Sequence, residues 1–363
     1  MIKTYKYKLN PNNSQLKIFE EWINTCRLIY NLTLEQKDYA YSSKKYNVSK
    51  YESYNQLPEL KNEFAFIKNV YSDVLQEVID RVYKSYDKFY KGGGFPKYKK
   101  KGLYNSFTFK RGIFIINNKV KLPKIGLVKF FNSRDINGTI KTATISKELK
   151  GWFISITFDT PIINRYCDNQ AVGIDVGIKH FLTLSDGSFI DSPYFLEPKL
   201  KELKRLQRKL SRQVKESNSR NKTKHQISKL YLKITNSRKD FNQKQSTIIC
   251  DKFSEVYIED LKIQNMVKLN STLSRRMLDN SFYSFRLMLE YKLKYQSKIF
   301  KVIHPAYTSQ KCNECGCISK DNRLTQSEFV CTSCGSISNA DLNAAKNILA
   351  LGKSLSTKVK SLD

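Results

Sequence analysis

The chain has 363 residues and a formal net charge of +31, from 64 Lys and Arg against 33 Asp and Glu. That excess argues against a merely solvated surface and for a polyanionic partner whose phosphates neutralise it. No apolar run approaches the ~18 residues of a spanning helix, and the opening MIKTYKYKLNP lacks an apolar signal core, so a reducing cytoplasmic setting without membrane contact is expected.

Residues 2–9 alternate, with Lys3, Tyr5, Tyr7 and Leu9 on one side, and Asn10-Pro11 ends them; this predicts a strand. Ser14 opens a helical pattern with Leu16, Phe19, Ile23, Cys26, Ile29 and Tyr30 on one face. A second helix follows Ser72, with Leu75, Val78, Ile79, Val82, Tyr86 and Phe89 on a stripe that Gly92-Gly93-Gly94 and Pro96 stop. Residues 13–91 thus read as a helical unit. From 91 to 111 the cations Lys97, Lys99, Lys100, Lys101, Lys110 and Arg111 interleave with Phe95, Tyr98, Tyr104, Phe107 and Phe109. Cations for phosphates and rings for bases make Lys97, Tyr98, Lys99, Lys100, Lys101, Lys110 and Arg111 candidate nucleic-acid contacts. A charged face with aromatic rings turned into a core fits the same alternation. Strands are predicted around 113–117, 127–131, 140–146 and 152–158, broken at Leu122-Pro123-Lys124-Ile125-Gly126 and Asn137-Gly138. The opening strand can join this β-rich region, with the helical unit inserted between.

From Ala171 the pattern changes. An apolar strand at 171–176 precedes a hairpin, 180–184 and 188–190, about Asp186-Gly187. A basic helical stretch covers 197–249 with a break near Ser217-Asn218-Ser219; its Lys204, Arg205 and Arg208 either line a nucleic-acid channel or form a solvated face. A strand at 255–259, a helix at 280–297, a strand at 299–303 and a last helix at 341–351 complete the order expected of an RNase H-like fold.

Cys312, Cys315, Cys331 and Cys334 form two Cys-x-x-Cys pairs. Two such knuckles present four sulfurs to one Zn²⁺, and four sulfurs leave no open position, so the expected zinc is structural. Cys317 is a fifth cysteine that could replace a ligand, while Cys26, Cys167 and Cys250 are isolated and expected to pack. Three acids stand out. Asp175 interrupts an apolar strand in Gly173-Ile174-Asp175-Val176-Gly177, as a metal ligand or as a turn residue. Glu259 ends a strand, and its neighbour Asp260 points to the opposite side. Asp341 opens a helix, where N-capping is the plainer role. Phosphodiester hydrolysis uses two divalent ions ~3.5–4 Å apart, held by carboxylates, and Mg²⁺ prefers such hard ligands. His180 could approach the first acid, although a packing or surface role suits it as well.

Taken in order, Tyr7 to Pro11, Cys26 to Asn31, Gly94-Phe95-Pro96-Lys97-Tyr98-Lys99, Leu122 to Gly126, Val172 to Gly177, Ile258-Glu259-Asp260-Leu261, Tyr307 to Cys312 and Asp341 to Ile348 resemble the TnpB family, insertion-sequence nucleases (OrfB) related to CRISPR type V effectors. The resemblance covers nearly the whole chain. It implies an α+β multidomain protein: a RuvC-like (RNase H-like) nuclease core at 168–304 and 338–363, an inserted zinc ribbon at 305–337 that binds target nucleic acid, a β-barrel wedge domain at 1–12 and 92–167, and an inserted helical recognition domain at 13–91. It implies Asp175, Glu259 and Asp341 as the catalytic acids on two Mg²⁺ ions, with Mn²⁺ as a substitute, and Zn²⁺ on the cysteine quartet. The implied partners are a noncoding guide RNA from the element's end, double-stranded target DNA cut next to a short adjacent motif, and its displaced strand, with one chain per RNA in a prokaryotic cytoplasm, at the nucleoid when bound to target. The chain departs from the family at Asn339-Ala340, where a charged pair is frequent, and at the extra Cys317. Two other functions stay open at this level: an RNA-guided repressor that binds without cutting, and a strand-transferring transposase. The ribbon divides the second acid from the third, so its folding is expected to help place Asp341.

Overall fold

The computed structural model describes residues 1–162, 170–260, 271–304, 307–325 and 327–360; Cys167 and Leu261 lie outside them. The chain divides into two compact units, Met1–Pro161 and Ile162–Asp363.

The first unit runs β1 (Ile2–Asn10), α1 (Asn13–Lys44), α2 (Lys50–Asn55), α3 (Leu57–Glu63), α4 (Ala65–Lys68), α5 (Ser72–Tyr90), β2 (Ser106–Phe109), β3 (Phe114–Ile116), β4 (Lys119–Leu122), β5 (Gly126–Phe130), β6 (Thr139–Glu148) and β7 (Gly151–Asp159). Its seven strands pair antiparallel in the order β2-β6-β7-β1-β5-β4-β3. The opening strand is therefore central. Ile2 to Lys8 pair with β7, and Leu9 and Asn10 pair with β5. Helix α1 starts one residue earlier than expected because Asn12 caps it, exchanging hydrogen bonds with Gln15. Strands β2 and β4 were not anticipated; each has only four residues, and β2 lies in the basic-aromatic run. Phe107 and Phe109 are fully buried, with Trp22 ring centroids 5.4 and 5.8 Å away. For those two rings the packing alternative holds, whereas Phe95 and Tyr98 are exposed. Helices and sheet share one apolar core.

The second unit contains β8 (Ala171–Val176), β9 (His180–Leu184), β10 (Phe189–Asp191), α6 (Leu200–Arg212), α7 (Asn218–Lys252), β11 (Glu255–Glu259), α8 (Ser271–Asn280), α9 (Phe282–Tyr295), β12 (Ile299–Ile303), β13 (Glu328–Val330), β14 (Ile337–Asn339) and α10 (Ala340–Lys360). The basic helical stretch breaks between α6 and α7, and Ser217 caps α7 by accepting from the Arg220 N–H. The larger sheet has the order β10-β9-β8-β11-β12. Strands β8, β9 and β10 are antiparallel neighbours, and β11 is parallel to both β8 and β12.

Strand parity divides this sheet. Val172, Ile174, Val176, Val256 and Ile258 pack with Phe285, Leu289 and Leu293 of α9. Tyr257 packs instead with Ile348 of α10. Glycines allow α10 to lie unusually close. A Cβ at Gly173 would stand 2.2 Å from the Ala345 carbonyl oxygen and 2.6 Å from the Leu349 nitrogen. On the helix, a Cβ at Gly352 would stand 2.2 Å from the Tyr257 ring. Among the described residues, no helix is long and apolar enough to cross a membrane.

Because the atoms facing Gly173 are helix backbone, they cannot turn aside. Gly173→Ala is expected to cost about 2–4 kcal/mol by overpacking and to lower the urea midpoint. Gly94→Ala, whose Cβ would meet nothing within 4 Å, serves as the control. Equal midpoints for the two variants would contradict the close approach of α10.

Candidate active site

Sheet register brings the first two acids together. Parallel strands β8 and β11 are matched at Ile174 and Ile258, so the next rung sets Asp175 beside Glu259. Parity turns both toward the face that carries α10. The third acid comes from the start of that helix. Asp341 is not the N-cap. Asn339 Oδ1 accepts from the Asp341 and Leu342 N–H groups at 3.0 and 3.1 Å, which satisfies the first turn and leaves the Asp341 carboxylate to face the other acids. Its position in the first helical turn also suits its negative charge. Asp260 is turned away, as parity requires, and pairs with Arg286 at 2.6 Å.

Asp175, Glu259 and Asp341 line one cavity of about 470 Å³, together with Lys179, His180, Thr308, Ser309, Arg323 and Asn339. The electrostatics are adverse. Burial raises the Asp175 pKa well above the ordinary carboxylate range, and the charges of Glu259 and Asp341 raise it further. Burial also raises Glu259, although its hydrogen bond with Asp175 and the charge of Arg323 act in the opposite direction. A hydrogen bond between two carboxyls needs a shared proton, which a multivalent cation can replace. Arg323 reaches in from the ribbon, with its guanidinium 3.5 Å from Asp341.

Arg323 is the residue that sequence reasoning missed. It lies between the two cysteine pairs with no local motif, and only the folded ribbon brings it to the acids. Asn339 was legible in principle, since an asparagine two residues before a helical acid is a good cap. His180 does line the cavity, with Nδ1 2.8 Å from Asp191 and its ring 5.0 Å from that of Phe189.

The four cysteines converge as their spacing predicts. Their sulfurs lie within 4.8 Å of one another, with Cys312–Cys334 at 3.8 Å and Cys315–Cys331 at 3.5 Å. Sulfurs on a tetrahedral Zn²⁺ at ~2.3 Å stand about 3.8 Å apart, so the quartet fits zinc. Cys317 is outside the group and contributes its carbonyl, accepting from the Cys312 N–H at 2.8 Å. Cys26 and Cys250 are buried.

The candidate nucleic-acid residues divide. Lys97, Tyr98, Lys100 and Lys101 are exposed, on a segment tied to α1 by Asn31, which bonds the Lys99 N–H and carbonyl at 2.8 and 3.1 Å. The Lys99 ammonium lies over the Tyr30 ring. Lys110 and Arg111 pair with Asp80 and Asp73 of α5, and the Arg111 side chain stays largely exposed. Lys204, Arg205 and Arg208 line an open groove along α6 with Lys201, Lys209 and Arg212. Leu203 and Leu206 anchor the opposite side of that helix on Leu230 and Ile234.

The raised Asp175 pKa carries a signed consequence. The folded state holds the proton more tightly than the unfolded chain, so this contribution to stability is present in acid and is lost as pH rises through the folded pKa. In Mg²⁺-free buffer at pH 8, Asp175→Asn should therefore melt above wild type, by a few degrees for about 1 kcal/mol. The gap should narrow as the pH falls toward about 4, and added Mg²⁺ should raise only the wild type. A variant that melts lower at pH 8 would contradict the electrostatic account.

Comparison with known proteins identifies the family of the chain. A family model described as "Probable transposase" (OrfB) matches residues 155–270, a "Cas12f1-like, TNB domain" model matches 282–348, and a "Helix-turn-helix domain" model matches 1–45. The last region forms a strand and one long helix in this chain. A candidate RNA-guided DNA endonuclease named InsQ, from Escherichia coli (strain K12), is 33% identical over 97% of this chain and 92% of its own length. A candidate RNA-guided DNA endonuclease from Streptomyces pristinaespiralis is 31% identical over 96% of this chain and 89% of its own. A solved Cas12f1 complex with sgRNA and target DNA superposes with a TM-score of 0.64 at 16% identity, covering 93% of this chain and 83% of that one, a likeness of fold. By near-full-length similarity to these relatives, the chain belongs to the TnpB family.

Proposed function

We propose that this protein is an RNA-guided DNA endonuclease of a transposable element. The observation that carries the reading is the convergence of Asp175, Glu259 and Asp341, from β8, β11 and α10, on one cavity in a chain of this family. In this reading the five-stranded unit is a RuvC-like nuclease core, at 168–304 and 338–363, with the zinc ribbon of 305–337 inserted. The first unit combines a β-barrel wedge, 1–12 and 92–167, with a helical recognition domain, 13–91. Guide pairing supplies sequence choice, and the protein reads a short adjacent motif and the shape of the heteroduplex.

Asp175, Glu259 and Asp341 would hold two Mg²⁺ ions, or Mn²⁺. Such ions neutralise the phosphate and activate a water for in-line displacement. The protein's own groups prepare that event. The carboxylates fix where positive charge must reside. Lys179 and Arg323 line the same cavity and add fixed positive charge where a phosphate would enter. Zinc on the quartet would hold the ribbon and so the loop that carries Arg323. The exposed cations of 97–101 and of α6 supply the counter-charge for RNA and DNA. Lys110 and Arg111 belong to that surface less directly, since both are paired with α5 acids.

The complete acid set favours cutting over repression by binding alone. The test is to express the protein with its native downstream flank, sequence the RNA that co-purifies, and assay DNA bearing the matching target in Mg²⁺. Wild type should cleave it. Asp175→Ala should retain the RNA and bind the target but cut at least roughly a thousandfold more slowly, about 4 kcal/mol of barrier. Undiminished cutting by that variant would sink the assignment. Target binding without cutting by wild type would favour the repressor.

A further inference from the structure

We propose that Asn343 and Asn347 are positioning residues for Asp341, and that through them the metal state of the ribbon sets the divalent-cation affinity of the carboxylate cavity. The inference rests on reading that cavity as a cation site.

Both asparagines lie inside α10, one helical turn apart, and expose 0% and 4% of their surface. Asparagine is a poor helix former, and a buried amide is costly unless its hydrogen bonds are made. Here they are made outside the helix. Asn343 donates to the Lys311 carbonyl at 2.8 Å and accepts from the Asn313 N–H at 3.0 Å. Asn347 donates to the Thr308 carbonyl at 3.0 Å and to the Lys311 carbonyl at 2.7 Å. Lys311 and Asn313 are the two neighbours of Cys312. The helix therefore grips the backbone of the first cysteine knuckle on both sides of a zinc-ligand sulfur.

The same helix carries Asp341, two residues before Asn343 and six before Asn347. Its start is held by the ribbon at two further points: the Ala340 N–H donates to the Ser327 carbonyl at 3.0 Å, and Arg323 meets Asp341. On its other side its backbone rests on Gly173, two residues from Asp175. One rigid element thus touches the knuckle and carries a ligand of the acid group. The shape of the knuckle is fixed when its two sulfurs share an ion. When they do not, the carbonyls that Asn343 and Asn347 need lose their fixed places, and Asp341 and Arg323 lose theirs. Coupling of this kind is reciprocal in binding free energy.

The test uses the full-length zinc-loaded protein without nucleic acid and follows Mn²⁺ binding by calorimetry or electron paramagnetic resonance. Asn343→Ala and Asn347→Ala should each weaken Mn²⁺ binding about 10–100-fold, the usual cost of losing a group that orients a ligand, with one zinc per chain retained. Cys334→Ser should weaken Mn²⁺ binding in the wild-type background and cause no further loss in the Asn343→Ala/Asn347→Ala background. Mn²⁺ affinity within twofold of wild type in the asparagine variants, or fully additive losses in that cycle, would overturn the proposal. Should the variants unfold, wild type alone decides it: Mn²⁺ should tighten zinc binding by the factor that zinc tightens Mn²⁺, and no mutual effect overturns the coupling. Asp175→Ala separates the two readings. If it leaves Mn²⁺ binding intact, the cation-site reading fails rather than the coupling.

Discussion

Three carboxylates are held together in a half-buried cavity, where burial opposes the ionisation of Asp175 and Glu259. Burial and the neighbouring charges push Asp175 upward for this reason. The surrounding structure forces the acids together despite this cost. Matched register of β8 and β11 sets two acids on adjacent rungs, and a helix pressed against the sheet at Gly173 and Gly352 brings the third. Asn339 takes the capping duty that would otherwise occupy Asp341. In the proposed reading, the stability given up here is recovered when cations bind the acids.

The ribbon gains its meaning from the same constraint. Its sulfurs lie as close together as zinc requires; zinc there would make it rigid, and its connection to α10 would make that rigidity available to the acids. Arg323 enters the cavity from a segment with little secondary structure of its own, so its direction depends on the knuckles around it. The ribbon's Asn322 serves a similar end inside the module: it is fully buried, donates to the Gln310 and Cys317 carbonyls, and accepts from Thr332. The polar interior of this small module is thus paired by asparagines, where an apolar core would be too small to fix its shape.

Much of this was legible in the sequence because it depends on local pattern. An acid inside an apolar strand, paired Cys-x-x-Cys units and the alternation in β11 each announce their position within a few residues. What was missed depends on long-range closure. Arg323 has no motif and reaches the acids only in the folded ribbon. Strand β2 was obscured because Phe107 and Phe109 share a run with surface cations, and no local rule says which rings turn inward. Lys110 and Arg111 also pair with Asp80 and Asp73 of a distant helix, contacts that no local pattern announces. The asparagines of α10 look like poor helix residues until the knuckle backbone they bond comes into view.

The central claim is that the acid group is a seat for a pair of divalent cations, separate from the zinc of the ribbon. Anomalous diffraction from crystals soaked in Mn²⁺ tests it most directly. The account predicts a zinc signal amid Cys312, Cys315, Cys331 and Cys334, and two manganese peaks about 4 Å apart bounded by Asp175, Glu259 and Asp341. Manganese elsewhere, with the three carboxylates left bare, would contradict it.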